Sequence, residues 1–252
     1  MGHAAGHALV TGAARGIGAA IARALADDGA RLTLLGRNRD GLARLAGELP
    51  GSGHGIALAD VSDEAQVRAA FAAARAERGP LAILVANAGA AESAPFGRTS
   101  LELWQRMLAV NLTGAFLCAR EALPDMLAAG HGRIVAVAST AGQRGYAYVA
   151  AYAAAKHGVI GLVRSLALEV ARKGVTVNAV CPGYTETDLL AGSIANVVAK
   201  TGRSEAEARA QFAAGNPQGR LVQPAEVADA VRWLCGDAAS AINGQSISVA
   251  GG

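Results

Sequence analysis

Short apolar runs rich in Val, Leu and Ile alternate along the chain with longer segments of helical period. That order predicts a parallel sheet with crossover helices. The predicted strands are Ala8–Thr11, Arg31–Leu35, Gly55–Ala59, Leu81–Ala86, Arg133–Ala138, Val175–Val180 and Ser246–Val249. In the first crossover Ile17, Ile21, Ala24 and Leu25 fall at i, i+4, i+7 and i+8, one apolar stripe, and Gly29 ends the helix. Further helices are expected at Asp63–Glu77, Leu101–Ala129, Val149–Lys173 and Pro224–Cys235, with Pro124 interrupting or kinking the long second one. Together these give one α/β domain over residues 1–252, doubly wound, with a seven-stranded parallel sheet and helices on both faces. Thr187–Asn216 is helical in tendency but lies outside the sheet's rhythm. It is expected to form a substrate flap (187–216) over the strands' carboxyl ends, where open α/β sheets place ligands.

Composition narrows the picture. Aromatics are only 4% of the chain while 52% is hydrophobic, so the core must be built from Ala, Val, Leu and Ile. The net charge of +3 comes from basic and acidic residues spread along the chain. With no cationic cluster, neither nucleic acid nor a membrane surface is an expected partner. No apolar run approaches the ~20 residues of a membrane span and no secretory leader is visible, which predicts a cytoplasmic protein. His3 and His7 read as part of an unstructured leader. Cys118, Cys181 and Cys235 have neither CxxC nor metal-ligand spacing, so they are expected to be reduced, buried thiols, and no metal is expected.

Candidate chemistry sits at strand ends. The first predicted strand runs into Gly12-Ala-Ala-Arg15-Gly16-Ile17-Gly18, which opens the first helix. Glycines there let the backbone approach a pyrophosphate, and the helix N-terminus offers free N–H groups and partial positive charge. The second strand ends Leu35-Gly36-Arg37-Asn38, without the carboxylate that would hold an adenosine ribose. Arg37, helped by Arg15, could grip a 2′-phosphate, which favours NADP over NAD; both arginines could equally be solvated surface residues. Tyr152 and Lys156 stand one helical turn apart. An ammonium ~4 Å from a phenol is worth about 4 kcal/mol at an effective dielectric near 20, lowering its pKa by about three. Ser139 ends the fifth strand and should point into the same crevice. Substrate recognition is expected from Gln143 to Val149, from Tyr184 and from the flap, with Tyr146 and Tyr148 lining the mouth.

On these residues the chain resembles the short-chain dehydrogenase/reductase family along nearly its whole length. The matching residues are TGAARGIG (11–18), Asp60-Val61, Asn87-Ala88-Gly89, Asn111, Ser139, Tyr152 with Lys156, and Pro182-Gly183 with Thr187. The resemblance implies a Rossmann-type nicotinamide-dependent oxidoreductase that interconverts a ketone and a secondary alcohol. By it, Tyr152 is the general acid or base, Lys156 holds the nicotinamide ribose and depresses the tyrosine pKa, and Ser139 binds the substrate oxygen. It makes Asn111 fix a water that links Lys156 to solvent, a competing reading being a buried, helix-bending polar residue. Asp60 and Val61 would bracket the adenine, Asn87 and Gly89 would line the pyrophosphate–ribose channel, and Gly183–Thr187 would contact the carboxamide. The chain departs from the family at Ala86, where a second Asn is common, at Thr185, where Ile or Val is expected, and at Ala250, where Asp is common. Lys156-His-Gly-Val-Ile-Gly and Val177–Tyr184 look most like bacterial 3-oxoacyl reductases and polyketide ketoreductases. A 3-oxoacyl thioester on acyl carrier protein or CoA is the leading substrate, with 3-hydroxybutyrate and 3-hydroxyacyl-CoA dehydrogenases nearly as close. Arg172 and Lys173 could dock an acidic carrier, or merely complement a helix dipole. A non-catalytic NAD(P)-sensing protein is the reading of another class, disfavoured by the intact Asn–Ser–Tyr–Lys set. By resemblance the protein is a homotetramer.

Overall fold

The computed structural model describes residues 6–252; His3 lies outside them. Seven strands form one sheet: β1 (His7–Thr11), β2 (Arg31–Gly36), β3 (Gly55–Leu58), β4 (Leu81–Ala86), β5 (Gly132–Val137), β6 (Val175–Pro182) and β7 (Ser246–Val249). All pair in parallel, in the order β3-β2-β1-β4-β5-β6-β7. The order reverses between β1 and β4, the switch point at which doubly wound sheets open a crevice.

Alternation along β1 sorts the core into two layers. Leu9 faces one cluster, with Leu84, Ile134 and Val177 from neighbouring strands. Ala8 and Val10 face the other. Helices α3 (Glu64–Arg78), α5 (Gly114–Ala129) and α6 (Ala150–Val170) cover the first face. Helices α1 (Gly16–Asp27), α2 (Arg39–Glu48) and α9 (Pro224–Cys235) cover the second. Between β6 and α9 the chain leaves the sheet as α7 (Asp188–Thr201) and α8 (Glu205–Ala214), within the stretch expected to stand apart. Cys118, Cys181 and Cys235 are buried thiols.

Four expectations change. Helix α2 was not foreseen, because Gly41 and Gly47 weaken its helical pattern; Leu42 and Leu45 anchor it, and Asn38 caps it by accepting from Gly41 N at 3.1 Å. The long helix continues through Pro124 and departs from α geometry earlier, at a π-helical turn over Ala109–Thr113 that follows α4 (Leu101–Leu108). His7 belongs to β1 and is 2% exposed, its ring joined to Gly79 O and Thr33 Oγ1. Burial therefore lowers its pKa. Finally, Arg172 and Lys173 lie just before the N-terminal end of β6, at the opposite end of the sheet from the strands' carboxyl ends.

Candidate active site

The turn after β1 is shaped by residues that tolerate no side chain. Gly12 and Gly16 adopt φ +65° and +56°, and a Cβ on Gly18 would stand 2.3 Å from the Gly12 carbonyl oxygen. Arg15, at the cap position of α1, makes no side-chain cap bond, so no side chain of its own satisfies the first-turn N–H groups. The turn is tied across the switch point to β4. Thr11 Oγ1 accepts from Asn87 N (3.0 Å) and Ala88 N (2.9 Å), and Asn87 Nδ2 donates to Thr11 O at 2.9 Å. Thr11 was inside the recognised motif, but its clamping role depends on β4 lying beside β1, which no local pattern reveals.

At one end of the crevice Arg37 pairs with Asp60 at 3.2 Å. Hydrogen bonds from Ser62, and then Arg37, hold the Asp60 carboxyl below its usual range. Arg15 pairs with Asp188 at 3.2 Å, joining the glycine turn to α7. Arg44 on the unforeseen α2 lines the same space.

Deeper in, Ser139 follows β5 and its hydroxyl accepts from Ala141 N at 3.1 Å. Tyr152 and Lys156 share one face of α6. The Lys156 ammonium is 4% exposed, donates to Val137 O at 2.8 Å and stands 5.7 Å from the Tyr152 ring centroid. Burial pushes Lys156 down to about 8. Burial also pushes the Tyr152 phenol up, while the Ser139 hydrogen bond pulls it down. The sequence arithmetic weighed the ammonium alone and left out this burial. The hydrogen bond to Val137 O leaves the ammonium charged, and desolvation of the buried phenol is the largest influence on its pKa. The Cys181 thiol lies beside this group, pushed up to about 11 by burial.

Asn111 sits in the π-helical turn, 2% exposed. Its Nδ2 donates to Ala90 O (2.9 Å) and Met107 O (3.0 Å), and its Oδ1 accepts from Ala90 N (3.3 Å). The side chain donates to a carbonyl of the preceding turn where the helix widens, and it fastens the loop after β4. A Cβ on Gly89 would meet Asn111 Oδ1 at 2.8 Å and Lys156 Nζ at 3.6 Å, so both groups converge on one small gap.

Tyr184 packs edge-on against Tyr146 and Phe212, with centroids 6.1 and 5.0 Å away. Tyr148, at φ +67°, is the one non-glycine with positive φ among the described residues; its carbonyl accepts from Ala94 N at 2.8 Å. Gly183 abuts Asn216, whose amide bonds the backbone of Tyr184 and Arg220. Thr187 caps α7 and touches the space beside Gly16. Asn216 was missed by sequence reading, since its partner Tyr184 is 32 residues away. Gln143 is a correction. Its amide turns onto β7, donating to Ser246 O and accepting from Ser248 Oγ, and it does not reach the crevice.

Apart from Gln143 and its neighbours Arg144 and Gly145, the candidate site residues line a single cavity of about 1330 Å³, which runs from Arg37 past Ser139, Tyr152 and Lys156 to α7 and α8. Glycines with positive φ at a helix start without a side-chain cap, with no room for a Cβ, fit a dinucleotide's pyrophosphate. No metal-binding group of His, Cys, Asp or Glu occurs among the described residues, nor is any helix there long and apolar enough to cross a membrane.

A dinucleotide cleft with serine, tyrosine and lysine at its floor defines an oxidoreductase acting on CH–OH and carbonyl groups. Residues 12–252 match the family described as enoyl-(acyl carrier protein) reductase, and the chain belongs to the short-chain dehydrogenase/reductase family, whose members bind NAD(P). It is 45% identical over 248 residues to cis-4-hydroxycyclohexanecarboxylate dehydrogenase of Sinomonas cyclohexanicum, covering 97% of this chain and 95% of that protein. It is 38% identical over 245 residues to the 3-oxoacyl-(acyl-carrier-protein) reductase of Escherichia coli strain K12, covering 97% and 96%. In structure it resembles an actinorhodin polyketide ketoreductase variant crystallised with NADPH, at TM-score 0.94 and 40% identity over 98% of this chain and 97% of that one.

Proposed function

We propose that this protein is a cytoplasmic, NADP-preferring reductase of 3-oxoacyl thioesters carried on acyl carrier protein or CoA. The observation that carries the reading is the convergence of Ser139, Tyr152 and Lys156 in one cavity with the glycine turn. Similarity to the 3-oxoacyl and polyketide reductases supports the substrate class.

When bound, the nicotinamide dinucleotide supplies hydride to a ketone carbon or takes it from an alcohol. Gly12, Arg15, Gly16, Ile17 and Gly18 hold its pyrophosphate with backbone N–H groups. Asp60 and Val61 flank the adenine, Asn87 and Gly89 border the riboses, and Gly183, Thr185 and Thr187 orient the carboxamide. Arg37 and Arg15 bind a 2′-phosphate by exchanging their carboxylate partners for it. Tyr152, which desolvation keeps protonated, donates its phenolic proton to the carbonyl oxygen, and Ser139 hydrogen-bonds that same oxygen as charge grows there. Lys156, charged below about pH 8, stabilises the phenolate left behind. Asn111 and Lys156, meeting beside Gly89, position a water that returns the proton to Tyr152.

Identity to the hydroxycyclohexanecarboxylate dehydrogenase favours a second reading, oxidation of a small hydroxy acid, as 3-hydroxybutyrate dehydrogenases perform. Exposed Phe116 and Leu168 on α5 and α6 suit burial between subunits of a homotetramer, which sedimentation tests. The functional test is NADPH oxidation with 3-oxobutanoyl thioesters, a 2-enoyl thioester as counter-substrate, and the reverse reaction with 3-hydroxybutyrate. Turnover of the 3-oxo thioester alone is expected; preference for the enoyl or hydroxy acid substrate would overturn the reading. Arg37→Ala should raise KM for NADPH about tenfold more than KM for NADH, as loss of a charge-assisted bond predicts.

A further inference from the structure

The charge balance of the cavity is uneven. Its basic lining residues are Arg15, Arg37, Arg44, Arg106, Lys156 and Lys200, whereas its lining carboxylates are Asp60 and Asp188. Both carboxylates are already paired with arginines. Of the cations, Arg106 is paired with Glu92 at 2.6 Å, Arg44 lies 3.9 Å from Glu48, and Lys156 is buried on Val137 O. Lys200 is the one with no ion-pair or hydrogen-bond partner among the described residues.

Its placement is a consequence of helix geometry. Leu189, Ser193, Asn196 and Lys200 follow at i, i+4, i+7 and i+11, and all four line the cavity from one face of α7. Asn196 Nδ2 reaches Ser93 Oγ at 3.4 Å, so α7 and the loop after β4 approach each other along this face. The lining here therefore combines the aromatic Tyr184 and Phe212 with the polar Asn196 and the cationic Lys200. From this we infer that the α7 end of the cavity is a subsite for an anionic group at the far end of the substrate, with Lys200 as its cation. The inference rests on the carbonyl-reductase reading and adds that the ketone is attached, through an intervening spacer, to a carboxylate or phosphate. A small keto acid would bring the first and a pantetheine carrier the second.

Matched substrate pairs separate these sources: 4-oxocyclohexanecarboxylate against its methyl ester, and 3-oxobutanoyl-CoA against the N-acetylcysteamine thioester. Initial rates at saturating NADPH are compared for the wild type, Lys200→Ala and Lys200→Arg. For one of the pairs, the ratio of kcat/KM for the anionic member to that for the neutral one should fall about fivefold in Lys200→Ala, through KM, as expected for an exposed ion pair. Lys200→Arg should restore it. A fall in the first pair only identifies a carboxylate, and in the second only a phosphate. Unchanged ratios in both pairs, or no rescue by arginine, overturn the subsite while leaving the reductase intact. NADPH binding with no turnover of any of the four compounds overturns the reductase reading and the subsite with it.

Discussion

One wall of the cavity grows out of the sheet, and the other out of two helices that leave it. On the sheet side Asn111 and Lys156 are nearly closed off from solvent, and the cluster behind them spans five strands and three helices. On the other side α7 and α8 rest on four buried residues, Leu190, Ile194, Ala208 and Leu221, with Tyr184 and Phe212 against them. Proton chemistry needs groups fixed to a fraction of an ångström, and the groups assigned to it in the proposed mechanism stand on the well-buried wall. Selection among substrates needs adaptable surface, and the thinly anchored wall offers it.

The largest effect that would sharpen this contrast lies on the sheet side. Tyr152→Phe should lower kcat by 2–4 orders of magnitude, the range of general acid catalysis, while fluorescence titration finds NADPH affinity within about threefold of wild type. Retained turnover would move the chemistry elsewhere in the cavity.

What was legible in the sequence divides along the same line. The strands, the glycine turn, Ser139 and the Tyr152–Lys156 pair depend on local spacing, and each stands where spacing put it. Alternation and helical period also placed α7 and α8 outside the sheet. Side-chain direction was not legible. Gln143 was assigned to the substrate, but β7, a hundred residues later, captures its amide. Asn216 was overlooked because its role lies in bonds to Tyr184. The net direction of the Tyr152 shift was not legible, because a sequence shows the distance between two groups on a helix but not their burial.

A second prediction uses that burial. Lys156 titrates at about 8 in the fold against 10.5 when exposed, so between these pH values the unfolded chain binds more protons and stability rises with pH. Below pH 8 the buried charge costs about 3 kcal/mol. Chemical denaturation should therefore find Lys156→Met more stable than wild type at pH 7, with the difference shrinking towards pH 10.5. A constant difference across that range would place the ammonium in water.

The smallest effect belongs to the helical wall. Ile194→Ala should cost about 2 kcal/mol, the low end for a buried isoleucine, because α7 can settle against its few neighbours. Its KM for the ketone should rise while kcat is kept. Phe71→Ala, beneath the sheet, should cost about 3–5 kcal/mol with KM unchanged. Equal costs, or an unaltered KM for Ile194→Ala, would remove the distinction between the walls.

Titration of the tyrosines by NMR, with a ¹³C label on the phenolic carbon, tests the central claim most directly. Four tyrosine signals are present, and Tyr152→Phe identifies one of them. The account predicts that the Tyr152 phenol in the free protein stays protonated beyond its ordinary value of 10.0, and that Ser139→Ala, by deleting a hydrogen bond that favours ionisation, moves it higher still. A Tyr152 signal that ionises below 10.0, or that ignores the loss of Ser139, would contradict it.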